Sequence, residues 1–290
     1  MQTRALRTLT TIDQVGSFAQ AAAQLNMTLS AVSMQMKALE QELDVRLFDR
    51  AFRPPRLTPL GRRIAAKARD VIADEDQLLG LCAGGGLLSG RYRIGFISTA
   101  SVRLLPGFLA MARKSAPAAR FEVEGGLSED LEEKVLQGRL DAAVVTASQD
   151  VRPALRYDSL GYEPLAYAVP KGVAELSLET LMRELPFLHF LPSTGIGKLT
   201  ARHLARTKLG ERANIIVMDG VEAIMECVKT GFGFTLLPVP DIERYADSSV
   251  VLRPSGDTNL VRELALALRE GSQSHRQAAE LRALFREAEK

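Results

Sequence analysis

Three short stretches put hydroxyl residues and glycines directly after apolar runs, where backbone N–H groups can meet an anion. FISTAS carries Ser98, Thr99 and Ser101, GGLSED carries Ser128 at a helix start, and FLPSTGIG carries Ser193, Thr194 and Gly195. Thr146, which follows the run DAAVV, joins the set. In an open α/β sheet small ligands sit beyond the carboxyl ends of the strands, against helix N-termini. Hydroxyls and unpaired amides together suit a carboxylate or a phosphate. Ordinary N-capping explains any one of these residues taken singly. Taken together, they lead us to expect a cleft for a small, anionic effector.

The same residues offer little for catalysis. His189, His203 and His275 are scattered without metal-ligand spacing, and His189 lies in an apolar strand, where a satisfied core or cleft-edge histidine is expected. No serine has the flanking glycines of a nucleophile elbow. STGIGK resembles a phosphate-cradling loop but has Pro192 where glycine is required and Leu199 where serine or threonine is required. GFGF, from Gly231 to Phe234, lacks the third glycine of a dinucleotide fingerprint and reads as the close of a helix and the start of a strand. Asp219 could face the cleft or cap the helix after it. Cys82 and Cys227, the only two cysteines, read as reduced thiols. We expect no catalytic residue, no metal and no cofactor; a transferase acting in the cleft is the least supported function.

A second chemistry lies at the N-terminus. Residues 1–70 hold 11 Lys and Arg against 6 Asp and Glu, whereas the rest of the chain is mildly acidic. A basic end on an acidic body suits contact with a polyanion. AAAQLNMTLSAVSMQ, from Ala21 to Gln35, stops one helix at Asn26 and Met27 and restarts another with Thr28 as its cap. Val32, Met36, Leu39 and Leu43 form the buried side of this second helix, leaving Ser30, Ser33, Met34 and Lys37 opposite. Ser17 caps the preceding helix. Two short helices crossing closely on alanines form either a plain helical hairpin or a helix-turn-helix whose second helix enters the major groove of double-stranded DNA. DVRLFDRAFRPPRLTPLGRR follows, and its prolines prevent helix between Arg50, Arg53 and Arg56. It reads as a β-wing gripping phosphates or a narrow minor groove. A basic run is otherwise a solvated face, and contact with protein or RNA is the alternative use.

These groups need a scaffold. Pro59 to Cys82 reads as one long helix with Ile64, Val71 and Leu78 every seven residues, and Ala68, Glu75 and Cys82 between them. It is a dimerising linker helix or an amphipathic helix packed on its own domain. GGGLLSG marks a hinge. Beyond it RYRIGFI, RFEVE, DAAVV, PFLHFL, NIIVM and GFTLLP alternate with helical stretches, as in a buried parallel sheet. The 290 residues suffice for two α/β subdomains beside the N-terminal one. No apolar run reaches the roughly 18 residues of a membrane span, and no secretory signal is evident, so a cytoplasmic protein without membrane contact is expected.

GSFAQAAAQLNMTLSAVSMQMKALEQELDVRLFDR followed by RLTPLG resembles the N-terminal signature of LysR-type transcriptional regulators, densely from Ala5 to Gly61. The order of segments is similar across essentially the whole chain. The resemblance implies an α-helical winged helix-turn-helix domain joined by a long linker helix to an α/β effector domain of two subdomains, like a periplasmic binding protein. It also implies a homodimer or homotetramer that senses a small-molecule effector. The implied divisions are 1–58 for the DNA-binding domain, 59–83 for the linker helix, 84–90 for the hinge, 91–161 with 263–290 for subdomain I, and 162–262 for subdomain II. Carried over by position, Ser30, Ser33 and Gln35 match the reading helix and Arg50, Arg53 and Arg56 the wing; Ser17, Thr28 and Lys37 join them as candidate DNA contacts on the reading of the residues given above. Two positions depart from the family pattern. Leu29 stands where glutamine is frequent and Met34 where arginine is frequent, and neither can make a bidentate base contact.

Overall fold

The computed structural model describes residues 2–82, 88–147, 152–212, 214–271 and 275–288. Three helices open the chain, α1 (Thr3–Val15), α2 (Phe18–Gln24) and α3 (Leu29–Leu43). Ser17 accepts the Gln20 N–H at 3.5 Å, and Thr28 accepts the Ala31 N–H at 3.1 Å, so each hydroxyl takes one orphan amide at a helix start. The turn between α2 and α3 is made by Asn26, whose φ of 52° is left-handed. Ala21 and Ala22 are buried and let α3 lie close, while Val32, Met36 and Leu39 face inward onto Leu6, Leu9 and Ile12 of α1. Two short strands, β1 (Phe48–Asp49) and β2 (Arg56–Leu57), pair antiparallel to close the hairpin.

Helix α4 (Pro59–Cys82) packs one side on α1 through Ala65, Ala68 and Arg69. Ile64 is part-buried against that core, whereas Val71 and Leu78 are exposed. Both expected uses of this helix are therefore open to it: one side serves its own domain and another is bare. The hinge expected at 84–90 falls partly outside the described residues. Leu88 and Ser89 are buried, and Gly90 takes a φ of 89° as the next strand begins.

The remainder alternates β3 (Gly90–Phe96), α5 (Ser98–Ser115), β4 (Ala119–Gly125), α6 (Ser128–Leu136), β5 (Ala142–Thr146), β6 (Leu155–Pro170), α7 (Leu178–Glu184), β7 (Phe187–Phe190), α8 (Gly195–Thr207), β8 (Ile215–Met218), α9 (Val221–Lys229), β9 (Phe234–Pro238), α10 (Val239–Tyr245), β10 (Val250–Pro254), β11 (Val261–Arg269) and α11 (His275–Ala288). The strands run in the order β4-β3-β5-β11-β6-β9-β7-β8, with β10 also on β6. Parallel pairs β3/β4 and β3/β5 build lobe I, and β7/β8 and β7/β9 build lobe II. Lobe I is packed by α5 and α11, where Phe108 stacks on Phe285 at 4.4 Å. Lobe II has apolar packing on both sheet faces, Ile224 and Met225 of α9 on one and Leu181, Met182 and Leu204 on the other. Two long antiparallel strands, β6 and β11, cross between the lobes side by side. Their register slips between Leu264, opposite Gly161, and Ala265, opposite Ser159. That irregularity bends the pair where one lobe gives way to the other.

Candidate functional site

The N-terminal unit presents one polar face. Leu29 and Met34 are 52% and 72% exposed, and Ser30, Ser33 and Lys37 are exposed beside them. Thr28 shares a hydrogen bond of 3.0 Å with Ser30. A groove of about 550 Å³ runs between the start of α2, the exposed side of α3 and the hairpin, and gathers Ser17, Leu29, Ser33, Met34, Lys37 and Arg50. Glu40 organises its edge: Oε1 accepts the N–H groups of Leu47 and Phe48 at 2.8 and 3.1 Å, and Oε2 pairs with Arg50 at 2.9 Å. Arg50 is therefore already engaged by its own domain. Arg56 lies 5.1 Å over the Phe52 ring. Arg53 is exposed and has no hydrogen bond or ion pair with the described residues.

One expected reader turns the other way. Gln35 is half-buried, and its Oε1 accepts a 2.7 Å hydrogen bond from Thr8 of α1. Its carboxamide oxygen joins two helices, because position 35 lies three residues after buried Val32 and four before buried Leu39, on the same face of α3.

In the α/β region the starts of α5, α6 and α8 converge on the end of β5. Ser98, Thr99, Ser128, Thr146, Thr194 and Gly195 line a narrow throat with Phe190 and Ile196. The throat meets a cleft of about 870 Å³ between the lobes, lined by Ser128, Thr146, Ser193 and Gly195 with Glu129, Glu132, Arg152, Lys198 and Arg202. The N-caps of α5 and α6 are Ile97 and Leu127, which offer no capping side chain. Neither N-cap side chain therefore takes a first-turn amide at these two helix starts. At α8 the cap is filled: Thr194 accepts the Gly197 N–H at 2.9 Å and donates to the Leu191 carbonyl at 2.7 Å.

The hydroxyls differ in what they can still do. Ser128 accepts the Thr146 N–H at 3.2 Å, and Thr99 accepts from Arg262 at 2.8 Å. Ser101 donates to the Ser98 carbonyl at 3.0 Å and lies outside both linings, a turn further along α5, so it does not join the cleft. Asp219 is exposed and also outside them, and Gly220 rather than Asp219 holds the N-cap of α9. His189 is buried and hydrogen-bonds the Phe190 carbonyl through Nδ1 at 2.6 Å, and His203 meets the Tyr167 hydroxyl through Nε2 at 3.0 Å. Gly231, with a φ of 80°, closes α9 before β9, and Cys82 and Cys227 are free thiols.

Several charged groups of the site carry no local sequence signal. Lys198 of α8 pairs with Glu129 of α6 across the cleft and holds that carboxyl below the usual range. Arg152 reaches Glu133 at 3.1 Å and Glu132 at 3.4 Å. Burial pushes the Glu132 carboxyl up despite Arg152. Beneath the throat, fully buried Arg262 of β11 donates to Glu163 of β6 at 2.6 Å, to Thr99 of α5 at 2.8 Å and to Asp241 of α10 at 3.0 Å. Arg103 of α5 pairs with the same two carboxylates. This cluster pins both lobes to the crossing strands, and burial raises the Asp241 carboxyl against the pull of the two guanidiniums. Among the described residues no cluster of His, Cys, Asp and Glu could hold a metal ion, and no helix is long and apolar enough to cross a membrane.

Two family models match the chain: bacterial regulatory helix-turn-helix protein of the lysR family over residues 3–62, and LysR substrate binding domain over residues 85–290. The chain is 29% identical over 238 residues to the HTH-type transcriptional regulator CzcR of Bacillus cereus, covering 82% of this chain and 80% of the relative. It is 27% identical over 290 residues to the HTH-type transcriptional regulator MetR of Escherichia coli (strain K12), covering 94% and 86%. A cysteine-to-aspartate variant of full-length OxyR from Pseudomonas aeruginosa superposes with a TM-score of 0.71 at 25% identity, covering 99% of this chain and 95% of that one.

Proposed function

We propose a function from one premise: the chain belongs to the LysR family of transcriptional regulators and carries that family's DNA-binding and effector-binding domains. Its exposed α3 face enters the major groove of duplex DNA while Arg53 and Arg56 of the hairpin hold flanking phosphates. With Leu29 and Met34 in place of bidentate readers, base selection rests on Ser30 and Ser33, on methyl contacts and on DNA shape. Two chains associate through the side of α4 that carries the part-buried Ile64 and the exposed Val71 and Leu78, and two dimers form a tetramer. A small anionic metabolite binds in the cleft between the lobes, its charge at the open amides of α5 and α6. The protein acts in the cytoplasm and is not an enzyme.

The observation that carries the reading is the capped start of α3: its small hydroxyl side is solvent-facing, and Arg53 of the hairpin is exposed and unpaired among the described residues. Gel shifts with genomic fragments at two salt concentrations test it. Affinity for fragments holding paired half-sites exceeds that for random duplex and falls steeply with salt. Equal weak binding to single-stranded RNA and to duplex DNA would favour a basic contact module instead.

A further inference from the structure

Helix α6 has one end in the cleft and the other on the DNA-binding domain. At its start Ser128 accepts the Thr146 N–H at 3.2 Å, and Thr146 touches Gly195 of the opposite lobe. At its end Gln137, the C-cap, offers its carbonyl to Arg69 of α4 at 2.8 Å. Arg69 in turn pairs with Asp13 of α1, and the side chains are only 6% and 9% exposed. Nine residues of helix, roughly 13 Å long, separate the two ends. A helix of this length moves as a rigid body, so displacement at Ser128 is delivered at Gln137.

We propose that Arg69 is a positioning residue through which the state of the cleft reaches the DNA-binding helices, by way of Thr146, Ser128 and α6. Arg69 is suited to this because its guanidinium has two fixed obligations, one to each domain. If α6 shifts, Arg69 must leave either the Gln137 carbonyl or Asp13. Leaving Asp13 would strip that carboxylate of its close partner, with only Arg139, 3.9 Å away, remaining, and leaving the Gln137 carbonyl would cost Arg69 its tie to α6, so either move is costly for a buried guanidinium. The inference rests on the reading of the cleft and of α3 given above.

The test needs no effector, because Gly195→Ala forces the lobes apart by sterics alone. Hydrogen exchange of the full chain is compared for wild type, Gly195→Ala, Arg69→Met and the double variant, with Asp13→Asn as a second way to cut the junction. Gly195→Ala is expected to speed exchange in α1 and α4 by about 3-fold or more, and to add nothing once Arg69→Met or Asp13→Asn is present. Faster exchange confined to β5 and α8, or effects that simply multiply in the double variant, would overturn the proposal. DNA affinity of the same proteins separates the two readings. Coupling in exchange without any DNA binding leaves the junction intact and removes the regulator, whereas DNA binding without coupling does the reverse.

Discussion

Gly195 of α8 stands so near Thr146 of β5 that a Cβ at position 195 would lie 2.4 Å from the Thr146 Cβ. The two residues belong to different lobes, so the absence of one carbon lets the lobes meet. Gly195→Ala must displace them, since all three nearest atoms belong to Thr146, a short β-branched side chain fixed on a strand. We expect an overpacking cost of about 1–3 kcal/mol, read as a lower urea midpoint. An unchanged midpoint would show that the lobes do not touch there.

Arg53 and Ser33 divide the work at the DNA face. Arg53→Ala removes a charge that any phosphate can use, so binding weakens by a similar factor on every duplex and the salt slope becomes shallower by about one unit. Ser33→Ala leaves the slope alone and changes the ranking of operator variants. Competition gel shifts on a small operator library distinguish them, and the same loss for both variants on all sequences would contradict the division.

Leu78 is 61% exposed on α4 with Val71 two turns before it. If that side is the dimer seam, Leu78→Glu places two buried charges face to face, and sedimentation shifts toward monomer at micromolar protein. An unchanged sedimentation coefficient would move the interface elsewhere.

The buried histidines set a pH dependence. Burial holds both His189 and His203 below the ordinary histidine range. The unfolded chain therefore binds more protons between about pH 6.5 and their lower folded values, and stability present above pH 6.5 is lost as pH falls through that window. A His189→Asn, His203→Gln double variant should lose less thermal stability than wild type between pH 7 and 5. Parallel curves would mean that other groups govern acid unfolding.

Local chemistry made much of this legible. The caps at Ser17 and Thr28 and the apolar runs that became β3, β4, β5, β7, β8 and β9 depend on residues within a few positions of one another. Strand β6 lacks such a signal. LRYDSLGYEPLAYAVP mixes charges, a glycine and prolines because its first half serves lobe I and its second half serves lobe II. The cluster at Arg262 was invisible for a related reason: Glu163 is 99 residues away in the chain, and an arginine at the start of VRELALALR looks like surface. Lys198 and Glu129, 69 residues apart, meet only once the lobes face each other. Gln35 shows the converse, where one step around a helix turns a polar side chain from solvent toward Thr8.

DNA recognition as proposed requires α3 to lie in a major groove. Footprinting on the DNA upstream of the protein's own coding region tests this most directly, with wild type beside a Ser30→Glu, Ser33→Glu variant. Wild type should protect paired half-sites spaced by about one helical turn or a multiple of it, and the variant should protect none. Protection by both proteins, or by neither at low ionic strength, would contradict it.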